Sequence, residues 1–258
     1  MSQTTLVIGD TQFQQHSTLD IIKATSKWIL RNRPDEIVII GDWFDLESLS
    51  FYASEKEQEG RRLRFDIHAG VEAFDALMGP LFLLQERQKN SKHKVYRPRV
   101  VFTMGNHEER LKTYIKKNPR LDGILPDLTK VIEGYGVEVY DFLEPYVGLN
   151  NIHYFHYLSN PMTGKPVGGT MDNKLNKVTF SFVMGHQQIF QFAERQQAKG
   201  HPQFGVVVGA FYEHDEGYKG IQGNTHSRGT VILHHHSGGK TDVEFISCDR
   251  LKAEYGDS

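Results

Sequence analysis

Cysteine is almost missing from this chain: Cys248 stands alone among 258 residues. A lone thiol cannot close an internal disulfide, so the sequence reads as a protein of a reducing compartment. A surplus of either charge is missing too, with 30 Lys and Arg against 32 Asp and Glu. That balance excludes the overall basic footprint of a nucleic-acid-coating protein, leaving only local clusters to contact such a partner. No apolar run approaches the roughly 20 residues of a membrane span. The opening MSQTTLVIGD also lacks the basic start and apolar core of a secretory signal. The expectation is a cytoplasmic protein with no membrane partner.

What is present is an alternation of apolar β-branched runs with helical patterns. Leu6 to Ile8 predicts a strand. His16-Ser17-Thr18-Leu19-Asp20 then predicts an N-cap for a helix reaching about Asn32, closed by Pro34. Ile37 to Ile40 predicts the next strand, which makes the opening a βαβ unit with strands buried on both faces. From Leu46 to about Lys94 the chain is charged and mostly helical, with an apolar stripe at Phe74, Leu77, Leu81 and Leu84. Val100 to Thr103 predicts a strand, 108–117 a helix and 119–130 an irregular or helical cap. Further strands are predicted near 136–140, 152–157, 178–184, 205–212, 229–235 and 242–247, the last two joined by a loop at Gly238-Gly239. No repeat, linker or domain boundary stands out, so 1–258 is expected to form one domain with a helical insert at about 46–98.

Five of the apolar runs stop on a metal-ligating residue type: Asp10, Asp42, Asn106, His156 and His186. Any one Asp or Asn after a strand is ordinary turn chemistry. Five in succession point elsewhere, because ligands of α/β sheets gather beyond the carboxyl ends of the strands. Carboxylate, amide oxygen and imidazole are donors for divalent metals such as Mn²⁺, Fe²⁺ or Zn²⁺. Glycines at 9, 41, 105 and 185 precede four of these residues and permit tight turns.

Asp10-Thr11-Gln12, Gly41-Asp42-Trp43-Phe44-Asp45, Gly105-Asn106-His107-Glu108, His156 and Gly185-His186-Gln187-Gln188 follow one another in the order of a known motif set. By that order the chain resembles the calcineurin-like metallophosphoesterases over residues 5 to about 190. Its GNHEERL run and long insert look most like members from bacteriophages and their hosts. The resemblance implies a four-layer α/β/β/α sandwich, with two mixed β-sheets flanked by helices, in a bacterial cell or phage-infected host. It also implies two divalent metals bridged by Asp42. One would take Asp42, Asn106, His156 and His186. The other would take Asp10 and Asp42 with Gln12 and Gln188, where the family carries histidine. An amide oxygen is a harder and weaker donor than imidazole. That half is therefore expected to prefer Mn²⁺ or Mg²⁺ over Zn²⁺ and to hold its metal weakly; for the two-metal centre as a whole Mn²⁺ is expected first, with Mg²⁺, Fe²⁺, Ni²⁺ or Zn²⁺ as alternatives.

The implied chemistry is attack of metal-activated water on a phosphomonoester or phosphodiester, with a nucleotide, DNA or RNA ester preferred. His107 would protonate the leaving oxygen and Asp45 would orient it. Arg110, one helical turn past His107, would reach a phosphate oxygen. Gln12 occurs in the Mn-dependent ADP-ribose pyrophosphatase branch, so a nucleoside-diphosphate anhydride is an alternative substrate. A non-catalytic scaffold is the alternative from another class. A protein phosphatase is disfavoured, since Leu46 stands where that branch has arginine.

Weaker signals read blandly. His153 and His156 point to opposite faces of one strand, and position favours His156. His234-His235-His236 cannot converge on one ion along a strand and is expected on an exposed strand. His226 is expected in a loop. Arg61-Arg62-Leu63-Arg64 and Lys89 to Lys94 are solvated faces or a nucleic-acid track. Trp43 and Phe44 are expected to be buried rather than free to stack a base.

Overall fold

A computed structural model describes residues 3–50, 59–214 and 226–256. Its strands form two mixed sheets. The first has six strands: β1 (Gln3–Ile8), β2 (Glu36–Ile39), β3 (Arg99–Thr103), β4 (Glu138–Tyr140), β10 (Gly229–His235) and β11 (Thr241–Ser247), in the order β11-β10-β1-β2-β3-β4. The second has five: β5 (Tyr146–Val147), β6 (His153–Phe155), β7 (Phe182–Met184), β8 (Phe190–Arg195) and β9 (Gln203–Val208), in the order β5-β6-β7-β9-β8. The expected βαβ opening is present, because β1 and β2 pair in parallel and α1 (Asp20–Asn32) joins them.

Strand periodicity builds the layers. On β1 and β2, Leu6, Ile8, Ile37 and Ile39 face a helical layer, while Val7, Val38 and, just past β2, Ile40 face the second sheet. The helical layer is α1, α2 (Leu63–Asn90) and α6 (Cys248–Tyr255). Val206 and Val208 of β9 complete the seam between the sheets. Val207, pointing the other way, packs with Met171 and Leu175 of α5 (Met171–Leu175) on the outer face. The order helix, sheet, sheet, helix is the expected sandwich.

Several local expectations change. No side chain caps α1: Leu19 occupies the cap, and the Ser17 hydroxyl instead accepts the Gln14 N–H at 3.0 Å. Contrary to the absence of a long apolar run, α2 is long and apolar enough to cross a membrane by length and composition alone. Its hydropathy comes from a stripe that includes Ala73, Phe74, Leu77 and Leu81, all buried in the core against its neighbours. Leu84 is only partly buried. The sequence reading missed β5, β8, α5 and α6, which are short or lie at an edge. The region 119–130 resolves into a single 3₁₀ turn at Pro119–Leu121 and the start of α4 (Leu128–Glu133).

Candidate metal centre

The carboxyl ends of β1, β2 and β3 meet those of β6 and β7, so both sheets contribute to one cluster. The bonds that join them are specific. The His186 N–H donates to Asp10 Oδ1 at 3.0 Å, the Gly185 N–H to the His156 carbonyl at 3.0 Å, and His156 Nδ1 contacts the Ile40 carbonyl at 2.9 Å. Two glycines are needed for close approach. A Cβ on Gly105 would lie 2.2 Å from Asp42 Oδ1, and one on Gly185 would lie 2.4 Å from Asp10 Oδ1.

Potential donor atoms of Asp42, His156 and His186 all lie within 4.8 Å of one another. His156 Nε2 is 2.9 Å from Asn106 Oδ1 and 3.2 Å from Asp42 Oδ2. The carbonyl at Nδ1 can only accept, so a neutral His156 carries its proton there and turns a bare Nε2 toward two oxygen lone pairs. Such a set is satisfied by a cation or by a proton on the imidazole. Burial opposes that proton, but the Asp42 carboxylate outweighs it and pushes the His156 pKa up to about 9. Burial likewise works against the Asp42 charge, yet His107 and His156 hold its pKa well below the ordinary carboxylate range. His153 is set apart, stacked on Phe180 at 3.9 Å between ring centroids.

The glutamine half is equally buried and differently built. Asp10 is fully buried, and Gln12 and Gln188 are nearly so. Asp10 Oδ2 and Gln12 Oε1 have no hydrogen-bond partner. Burial pushes the Asp10 pKa up to about 7. Two orphaned oxygens in a closed site are what an oxygen-ligated cation would satisfy, so these residues fit a hard divalent metal. Four of the ten non-glycine residues with positive φ among the described residues are Gln12 (44°), Asp42 (51°), His186 (66°) and Gln188 (58°). Backbone strain of this kind clusters at active sites and ligand clamps, and here four of the seven predicted metal ligands carry it.

His107, at the start of α3 (Asn106–Lys117), lies beside this cluster. Its Nδ1 is 2.9 Å from Asp45 Oδ1 and 2.7 Å from the Asp45 carbonyl, and its N–H donates to Asp42 Oδ1 at 2.9 Å. Burial disfavours the imidazolium, but Asp42 and Asp45 outweigh it and raise the pKa. Arg110 turns into the site, donating Nη1–H to the Asp45 carbonyl at 2.9 Å and Nη2–H to His107 Nε2 at 2.8 Å. All ten predicted site residues therefore lie at one end of the sandwich.

Sequence reasoning named Glu108 only as part of a motif. Its carboxylate accepts the backbone N–H groups of Asp42, Trp43, Phe44 and Gly105 at 2.8–3.0 Å, tying the Asp42 loop to the start of α3. The segment after β9 was missed altogether. Phe211 N–H donates to the Asp10 carbonyl at 2.6 Å, and a cavity of about 340 Å³ opens there, lined by Thr11, Phe13, His16, Tyr212 and His214 among others.

The remaining expectations divide. Trp43 and Phe44 are fully buried. His226 lies outside the strands and contacts the Tyr212 hydroxyl at 3.2 Å. The histidine run is not on an exposed strand: β10 lies inside the first sheet, and His235 is buried between neighbours while His234 and His236 pair with Glu244 and Asp242.

No curated protein matches the chain. Among solved structures, one described as "GAP50 the anchor in the inner membrane complex of Plasmodium" is 11% identical, with 99% of this chain and 88% of that chain covered at a TM-score of 0.34. A family model described as calcineurin-like phosphoesterase matches residues 4–240. Matched over most of its length, with two mixed sheets flanked by helices, this chain belongs to the calcineurin-like phosphoesterase family.

Proposed function

We propose that the chain hydrolyses phosphomonoesters or phosphodiesters with two divalent cations, Mn²⁺ foremost. Asp42, Asn106, His156 and His186 would hold one, and Asp10, Gln12, Asp42 and Gln188 the other. The observation that carries this reading is the convergence of donor atoms of Asp42, His156 and His186 within 4.8 Å of one another, with Asn106 Oδ1 2.9 Å from His156 Nε2. When bound, the cations supply charge to polarise the phosphoryl group and a lowered pKa for water.

The protein's own groups do the rest. Arg110 is the phosphate contact: a phosphate oxygen is a stronger acceptor than an imidazole nitrogen, so bound substrate draws its guanidinium from His107. His107 then holds a proton on Nε2, aimed by the Nδ1 contact to Asp45, and passes it to the leaving oxygen. A nucleotide or nucleic-acid ester is the preferred substrate. Its support is the basic run beside the Asp45 loop, where Arg61 pairs with Glu47 and Asp66 accepts from Ser48 Oγ at 2.6 Å.

The test is hydrolysis of bis-p-nitrophenyl phosphate with Mn²⁺ by the parent, Asp42→Ala and His107→Ala. We expect turnover in the parent, a loss of at least ~10²-fold in Asp42→Ala and a smaller loss in His107→Ala, since nitrophenolate leaves with little help. A parent inert toward this ester and toward nucleoside-diphosphate compounds with Mn²⁺, Mg²⁺, Ni²⁺ and Zn²⁺ would leave the scaffold reading in its place.

A further inference from the structure

Asp45 has two oxygens, and His107 uses only one of them. The other, Oδ2, accepts from Gln14 Nε2 at 2.7 Å, and the same amide nitrogen lies 3.3 Å from His214 Nε2. A carboxylate only accepts, so the group facing Asp45 is the Gln14 amide NH₂, which has two hydrogens to give. Because that nitrogen only donates, the His214 Nε2 beside it is an acceptor. The chain of contacts therefore runs His214, Gln14, Asp45, His107, with one N–H placed at each junction.

The contacts rest on a braced backbone. Phe13 pairs with Phe44 in a parallel bridge, and the Asp45 N–H donates to the Phe13 carbonyl at 3.2 Å, which seats Gln14 beside Asp45. On the far side, Arg228 donates to the carbonyls of Glu213 at 2.8 Å and His214 at 3.3 Å. The His214 ring also stacks on Tyr212, with centroids 4.4 Å apart and planes 20° apart. With its backbone pinned by Arg228 and its ring stacked on Tyr212, the His214 side chain carries little rotamer freedom into its contact with Gln14.

We propose that Gln14 and His214 are positioning residues for leaving-group protonation: Gln14 divides its amide hydrogens between Asp45 and His214 and so locks the carboxylate that orients His107. The proposal rests on His107 being the general acid. It assigns a role to the segment after β9, two hundred residues from Gln14 in sequence.

A leaving-group comparison tests it. General acid assistance matters more for phenolate than for nitrophenolate, so diphenyl phosphate and bis-p-nitrophenyl phosphate are compared with the Mn²⁺-loaded protein. Gln14→Leu and His214→Phe, the second keeping the stack on Tyr212, should lower kcat ~10-fold with the phenyl ester and ~2-fold with the nitrophenyl ester. KM should stay unchanged, and the loss is a fraction of the ~10²–10⁴-fold a general acid supplies. His214→Gln, whose amide oxygen can accept from Gln14, should recover most of the phenyl ester activity. His107→Ala separates the two readings. If it shows the leaving-group preference and the Gln14 and His214 variants do not, this proposal alone falls; if it loses both esters equally, the general-acid role falls and takes this proposal with it. Proton NMR gives a readout without turnover: the His107 Nδ1 proton should exchange slowly in the parent and quickly in Gln14→Leu and His214→Phe. An unchanged proton in both variants overturns the positioning role.

Discussion

The two ends of β1, β2, β3 and β10 bury polar side chains in opposite ways. At the carboxyl ends of β1, β2 and β3, Asp10 Oδ2 and Gln12 Oε1 face no partner, and His156 Nε2, Asn106 Oδ1 and Asp42 Oδ2 crowd together with only a proton or a cation to satisfy them. At the other end, register places Thr5 beside Glu36 and Glu36 beside Arg99, and each meets a complementary group. Thr5 Oγ1 donates to Glu36 Oε2 at 3.0 Å and lies 2.9 Å from His235 Nε2. Tyr146 donates its hydroxyl to Glu36 Oε1, and Arg99 Nη1 donates to Tyr146 at 2.9 Å. Glu138 completes the row with two contacts to Arg99, at 2.9 and 2.6 Å. Thr5, Glu36, Tyr146 and His235 are as buried as the candidate ligands, although Arg99 and Glu138 at the row's edge are exposed, so burial alone does not mark a functional site. What sets the carboxyl end apart is that its two orphaned oxygens, Asp10 Oδ2 and Gln12 Oε1, belong to candidate metal donors, because a buried unpaired oxygen costs stability that a bound cation can return.

The largest expected effect comes from changing donors at the unsatisfied end. Replacing Gln12 and Gln188 together by His should raise Zn²⁺ affinity of that half on the order of 10²-fold and shift metal preference toward Zn²⁺ or Fe²⁺. The backbone tolerates the change, since histidine is among the residues enriched at positive φ. Metal analysis and calorimetric titration read the outcome, and unchanged stoichiometry and preference would show that these side chains are not ligands.

At the satisfied end, Tyr146→Phe removes one donor from Glu36 and should cost about 1–2 kcal/mol in urea unfolding, with Mn²⁺ affinity unchanged. A variant that loses metal binding along with stability would erase the distinction between the two ends.

The smallest effect is on pH. Burial drives the His235 pKa down from 6.5 to about 4, so the unfolded chain binds a proton that the folded chain refuses between those values. Its contribution is present above pH 6.5 and lost as pH falls toward 4. Neighbouring Asp35 opposes the shift, while His234 and His236 reinforce it. His235→Gln should flatten the fall of Tm between pH 7 and 4.5, and an unchanged slope would place the acid sensitivity elsewhere.

Much of the candidate centre was legible in the sequence because each candidate ligand follows its own strand. An apolar run and the residue that ends it are neighbours in the chain, so Asp10, Asp42, Asn106, His156 and His186 needed no knowledge of the packing. The short elements β5, β8 and α5 escaped because two to six residues carry too little periodicity to separate from loop. His235 was misread for a related reason: alternation along β10 does not say whether the strand lies inside a sheet or at its edge.

By itself, then, the sequence determined the candidate donor types and their order, which are local to the strand ends, and its resemblance to the family pointed to amides at two positions where the family carries imidazole. Only the tertiary structure decided that Glu108 clamps the Asp42 loop, that Arg110 reaches the Asp45 carbonyl, and that Gln14 joins Asp45 to His214. Those contacts link segments 31 to 200 residues apart. Their geometry is set by how two sheets pack and where loops cross, which no periodicity within one segment encodes.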